Sequence, residues 1–265
     1  MKSSAQDMHR FAVLGDSAAF GIGDYDSNGN PRGWAHYLSN AFAGQIQYLN
    51  VSRPGAKSLE VRDIQFPKIK EFQPNICGLI VGGNDILRND FNPNRIYANL
   101  KSTIIELQKI GSEILMLELH DPTKLLKLPK VLENILTKRV NALNEVIYRL
   151  NEEFNIVLLK TRSLPDIYSK SLWHIDRMHP GTKGHQVLAL SFRDLLLSNG
   201  WKFRDIEFDQ PIQMTLSEKR IWMLRNGLPW FIKRSFDLLP AITFLISLEL
   251  IGSLLTSMKS LISRT

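Results

Sequence analysis

Five short, mostly apolar runs punctuate the chain: Phe11 to Leu14, Ile46 to Val51, Ile76 to Val81, Ile114 to Leu119 and Ile156 to Leu159. Runs of this length, rich in Ile, Leu and Val, predict strands buried on both faces. Between and after them, apolar positions recur with a helical period over Gly33 to Phe42, Leu59 to Ile69, Pro93 to Ile110, Val131 to Glu153 and Lys183 to Leu197. Strand and helix alternating in this way predict an α/β fold with a five-stranded parallel sheet covered on both faces. In such folds functional residues collect in the loops beyond the carboxyl ends of the strands, above all where strand order reverses. The alternation stops around Gly200 to Phe208. The expected division is therefore a main domain at 8–200 and a basic, Trp-containing helical extension at 201–265.

Composition changes this picture little. The 265 residues are 44% hydrophobic and 22% charged, the balance of an ordinary globular chain, with no internal repeat or low-complexity tract. The formal net charge of +7 would suit nucleic acid, anionic lipid or an acidic substrate. The basic residues are dispersed, without zinc-finger spacing, an aromatic RNA-binding signature or a lysine-rich arm, so no nucleic-acid partner is expected. The single cysteine, Cys77, lies in an apolar run and reads as a buried structural thiol. The polar stretch Met1 to Arg10 lacks the apolar core of a secretory signal, which places the expected location in the cytoplasm.

Four short motifs sit at positions where this fold would make them functional. Phe11 to Leu14 runs straight into Gly15-Asp16-Ser17, delivering a serine to the carboxyl end of the first strand. The bland alternative is an ordinary turn with Ser17 as a helix N-cap. Asp176-Arg177-Met178-His179 precedes the last helix, whose expected cap is Thr182. Its two-residue gap lets one turn set the carboxylate against one imidazole nitrogen while the other faces a cleft. Val81-Gly82-Gly83-Asn84-Asp85 follows the third strand, where the Asn84 amide could donate to an oxygen that becomes negative during acyl transfer. Asn50 to Gly55 closes the second strand, and Gly55 offers either a backbone N–H or a simple turn. The remaining histidines, His9, His36, His120, His174 and His185, read as polar surface residues.

Taken in order, these motifs resemble those of the SGNH hydrolases, also called the GDSL esterases and lipases. Gly15-Asp16-Ser17, Gly55, Gly83-Asn84-Asp85 and Asp176-x-x-His179 match the family's four blocks across about residues 10–198. The resemblance implies a flavodoxin-like three-layer α/β/α sandwich and a carboxylic-ester hydrolase working through an acyl-enzyme. In it Ser17 would be the nucleophile, His179 the base and Asp176 its orienter, with Ser17 N–H, Gly55 N–H and the Asn84 side chain as the oxyanion hole. No metal and no cofactor are implied, which agrees with the absence of metal-ligand spacing or a phosphate-cradling loop. The residue after the serine, usually Leu in the lipase consensus, is Ala18, so acyl-chain preference does not carry over. The alternatives are an inactive binding protein on the same fold, or a membrane-attached protein whose C-terminal helices carry the main role.

The C-terminal extension has its own texture. Between Lys219 and Arg234 there are five basic residues and no acidic one, interleaved with Trp222, Leu228, Trp230, Phe231 and Ile232. Tryptophan beside arginine and lysine suits a lipid headgroup boundary. The run Leu238 to Leu255 approaches the roughly 20 residues of a transmembrane helix, but carries Pro240 and Glu249. The segment is expected to lie at a lipid interface or to cover the substrate, the alternatives being packing on the hydrolase core or in a homodimer, and a true span. The expected partners are a small-molecule or lipid ester, an anionic membrane surface met through residues 219–258, peripheral at the inner membrane face, and a second copy in a homodimer.

Overall fold

In the computed structural model the described residues are 8–208 and 215–227, together with Pro229. Five parallel strands, β1 (His9–Gly15), β2 (Ile46–Asn50), β3 (Ile76–Ile80), β4 (Glu113–Leu117) and β5 (Val157–Leu159), form one sheet in the order β2-β1-β3-β4-β5. This is the flavodoxin-like order that the resemblance implies, and strand order reverses at β1, opening a crevice at its carboxyl end.

Both faces of the sheet are covered. Along β1, Phe11 and Val13 point to one side while Ala12 and Leu14 point to the other, and all four are fully buried. The first side packs on α2 (Gly33–Ala41) and α7 (Thr182–Ser198), through Trp34, Leu38, Leu188 and Phe192. The other packs on α5 (Pro93–Lys109) and α6 (Lys130–Phe154), through Ile96, Leu100, Ile104, Leu143 and Ile147. Cys77, in the middle strand, is wholly buried as expected, and burial pushes its thiol pKa far above the ordinary range.

The helix expected over Leu59 to Ile69 is present as one uninterrupted stretch made of α3 (Ser58–Glu60), a wide π turn at Val61–Gln65 and α4 (Phe66–Ile69). Pro67 accounts for the wide turn, because its ring would clash with the carbonyl four residues earlier and it has no N–H to donate. One local expectation is corrected. The cap of α7 is Gly181 rather than Thr182, which is already the helix's first residue.

Beyond α7 the chain returns to the sheet's N-terminal end. Trp201 is nearly buried against His9 and Phe42, and Phe203 packs on Phe42. A further short helix, α8 (Leu216–Trp222), runs into a π turn at Met223–Gly227. Among the described residues no helix is long and apolar enough to cross a membrane. The apolar run Leu238 to Leu255 and the end of the basic stretch, with Lys233 and Arg234, lie outside the described residues.

Candidate active site

The nucleophile candidate is held by an unusually constrained turn. Gly15 has φ +144°, and a Cβ there would stand 1.9 Å from the Ile80 carbonyl oxygen, so only glycine lets β1 turn this close to β3. The buried Gln65 side chain brackets the same residue, accepting from Gly15 N–H at 2.7 Å and donating to its carbonyl at 2.9 Å. Ser17 then begins α1 (Ser17–Phe20). Asp16, not Ser17, is the N-cap, accepting from Ala18 N–H at 3.0 Å.

The imidazole candidate comes from a closed loop on the opposite rim. Trp173 bridges to Pro180, His174 N–H donates to the His179 carbonyl at 2.9 Å, and Arg177 takes a left-handed φ of 59°. Within this loop Asp176 is saturated with donors. Its Oδ1 accepts the backbone N–H groups of Met178 and His179 at 2.9 and 3.1 Å, and its Oδ2 lies 2.7 Å from His179 Nδ1. The other ring nitrogen, Nε2, lies 2.7 Å from Ser17 Oγ. A carboxylate can only accept from Nδ1, so the geometry places the proton there and leaves the Nε2 lone pair facing the serine hydroxyl. Burial pushes the Asp176 carboxyl upward, but polar contacts from His174 and His179 and the histidine charges outweigh it and hold it well below the usual range.

Asn84 and Gly55 reach the same cavity. Gly55, with φ +83°, stands in the loop after β2, and Ser17, Gly55, Asn84, Asp176 and His179 all line one cleft of about 470 Å³. That volume is ordinary for a small-molecule site, typically about 300–1,000 Å³. Asn84 is buried and its side chain hydrogen-bonds the Asp16 carboxylate. Its neighbour Asp85 pins the loop by accepting from Ser58 N–H at 3.0 Å and Ser58 Oγ at 2.8 Å. Ser17, Gly55, Asn84, Asp176 and His179 are thus brought together at the crevice by β1.

Three residues there were not anticipated. Asp16 is almost fully buried, and burial raises its pKa to about 6 despite hydrogen bonds from Ala18 and Asn84. Gln65 clasps the backbone of Gly15 from both sides. His120, in the loop after β4, lines the cleft, packs at a tilt on Trp173 with centroids 4.0 Å apart, and is pushed down to about 3 by burial. The reading of the spare histidines as surface residues is corrected for His120 and for two others. His185 is fully buried, its Nδ1 accepting from Trp34 N–H at 3.2 Å and its Nε2 lying 3.0 Å from the Ile22 carbonyl, while His174 is 8% exposed. A buried backbone donor and acceptor needed partners, and the imidazole of His185 supplies both. Among the described residues no three His, Cys, Asp or Glu side chains are grouped to hold a metal ion.

The three-layer sandwich, with its cleft beyond the carboxyl end of β1, is that of the SGNH hydrolases. A family model described as the GDSL-like Lipase/Acylhydrolase family matches residues 13–187, and the chain belongs to that family. Solved structures give the same fold. TesA is 20% identical with a TM-score of 0.54, covering 71% of this chain and 98% of its own. The psychrotrophic esterase EstA from Pseudoalteromonas sp. is 17% identical, TM-score 0.55, covering 72% and 97%. Axe2, an acetylxylan esterase from Geobacillus stearothermophilus, is 18% identical, TM-score 0.56, covering 71% and 94%. No curated protein matches by sequence.

Proposed function

We propose that the protein is a carboxylic-ester hydrolase with Ser17 as nucleophile, His179 as general base and Asp176 as orienter, carried on a hydrolase domain at 8–200. The observation that supports this reading most is the continuous line of 2.7 Å contacts from Ser17 Oγ through His179 to Asp176 Oδ2. In the proposed reaction Ser17 Oγ attacks the ester carbonyl as His179 Nε2 takes its proton. The tetrahedral oxyanion is held by Ser17 N–H, Gly55 N–H and the Asn84 amide. Collapse expels the alcohol, protonated by His179, and leaves an acyl-enzyme. A water activated by the same imidazole then releases the acid. Asp176 keeps its charge throughout, fixing the tautomer of His179 and stabilising the imidazolium.

The walls of the cleft are largely aliphatic and aromatic, including Ile22, Leu119, Leu172, Met178 and Leu188, which favours an ester with an uncharged acyl group. The test is a fluorophosphonate probe together with p-nitrophenyl butyrate. Wild-type protein should gain one phosphonyl group by intact mass and hydrolyse the ester, and Ser17→Ala should do neither. A folded wild-type protein that resists the probe would favour a binding module on the same fold, and a labelled Ser17→Ala protein would move the nucleophile elsewhere.

A further inference from the structure

Asp176 has a second imidazole. His174 Nδ1 lies 3.3 Å from Oδ2, the same oxygen that His179 Nδ1 approaches at 2.7 Å. The contact is long for a hydrogen bond, but its chemistry is constrained. An unprotonated Nδ1 would aim a lone pair at a carboxylate, so the proton belongs on Nδ1. Both ring nitrogens of His174 are buried and neither has a partner at full hydrogen-bond geometry among the described residues, so the 3.3 Å approach of Nδ1 to Oδ2 is a close polar contact rather than a formed hydrogen bond. The ring is enclosed by Trp222, which meets it edge-on at 4.4 Å, while Trp222 also hydrogen-bonds Tyr25. A nearly buried histidine that spends its one polar contact on the carboxylate behind His179 is poorly explained by packing alone.

We propose that His174 is a positioning residue: its Nδ1–H shares Oδ2 of Asp176 with His179 and limits how strongly that carboxylate holds a protonated His179. The inference rests on the reading of Asp176 and His179 given above. Oδ1 is already occupied by two backbone N–H groups, so Oδ2 carries the carboxylate's remaining capacity, and dividing it between two rings weakens its pull on either. The titratable and charged groups around His174 are Asp176 and His179 on its own loop, Asp24 (paired with Arg32 at 3.1 Å) and Tyr25 on the loop after α1, and His185 on α7. Of these Asp176 alone offers Nδ1 an acceptor. Trp222, from α8, keeps water from replacing it.

The test follows the rate of Ser17 phosphonylation by a fluorophosphonate against pH, in wild-type, His174→Phe, His174→Asn and Ser17→Ala proteins. Removing the shared donor in His174→Phe should move the acid limb to higher pH by about half a unit or more, an approximately threefold slower reaction at pH below the midpoint. In His174→Asn the amide N–H can stand where Nδ1–H stood, so the limb should return towards wild type. Superimposable profiles for wild type and His174→Phe, or an Asn variant no different from Phe, overturn the proposal. Should His174→Phe fail to fold, 15N-histidine spectra of the wild-type chain still decide: a proton on His174 Nδ1 supports it and an Nε2-only tautomer overturns it. Labelling of Ser17→Ala, or none of wild type, would instead remove the reading on which the inference rests.

Discussion

Asp16→Asn should separate stability from turnover. Asp16 is buried beside Ser17, and burial raises its pKa from 3.8 to about 6. A carboxyl whose folded pKa lies above its unfolded one stabilises the protein most below the unfolded value, and that contribution is lost as pH rises through the folded value. The difference corresponds to a penalty of about 3 kcal/mol above pH 6 that disappears near pH 4. Asparagine removes the charge and keeps the shape, but an amide cannot accept from both Ala18 N–H and the Asn84 side chain as the carboxylate does, and one unmatched buried donor costs about 1–2 kcal/mol. Asp16→Asn should therefore be about 1–2 kcal/mol more stable than wild type at pH 8 and less stable by a similar amount at pH 4, with the curves crossing between. Urea unfolding of both proteins across this range is the measurement. Turnover should fall at the same time, because Asp16 holds the Asn84 amide. The loss should be smaller than the roughly 10²–10³-fold seen when an oxyanion donor is itself removed. Equal destabilisation at pH 8 and pH 4 would show that the buried charge carries no penalty, and an unchanged kcat would show that Asn84 does not depend on it.

Two further outcomes follow from neighbouring residues. His185 is held neutral by burial, its pKa lowered from 6.5 to about 4, so stability is fully present above pH 6.5 and falls by up to about 3 kcal/mol as pH drops to 4. In wild type the opposite titration of Asp16 masks much of this, so Asp16→Asn protein should show the steeper acid loss in urea midpoints, and a flat midpoint from pH 7 to 4 in that variant would refute it. Gly23 has φ +103°, and a Cβ there would lie 2.0 Å from the Pro180 carbonyl oxygen, one residue beyond His179. Gly23→Ala should push the His179 loop away from Ser17 and lower kcat by about 10²-fold, as misplacement of about 1 Å can, and wild-type kcat in a folded variant would show that the loop tolerates the shift.

The strands and the four motifs were legible in the sequence for a shared reason. A strand buried on both faces must be apolar at nearly every position, and a residue placed at its end has its location fixed by the strand itself. Ser17, Gly55 and Asn84 are each named by the run before them, and Asp176 and His179 are near enough in sequence to find each other in one turn. What escaped depends on partners distant in the chain. His185 looks like any helical histidine until Trp34 and Ile22, more than 150 residues away, present a backbone donor and acceptor to its two nitrogens. Gln65 reads as one polar position on an amphipathic helix, and only the π turn before Pro67 brings its amide against Gly15, fifty residues earlier. His174 lies two residues before Asp176, so its proximity was visible, but proximity alone does not distinguish a surface ring from one enclosed by Trp222. That distinction requires α8, whose place over the His179 loop is set by packing rather than by any local pattern. Ser17 can therefore be read from a strand end, and Asp176 and His179 from their short spacing, whereas the residues packed around them are defined by burial, and burial belongs to the whole fold.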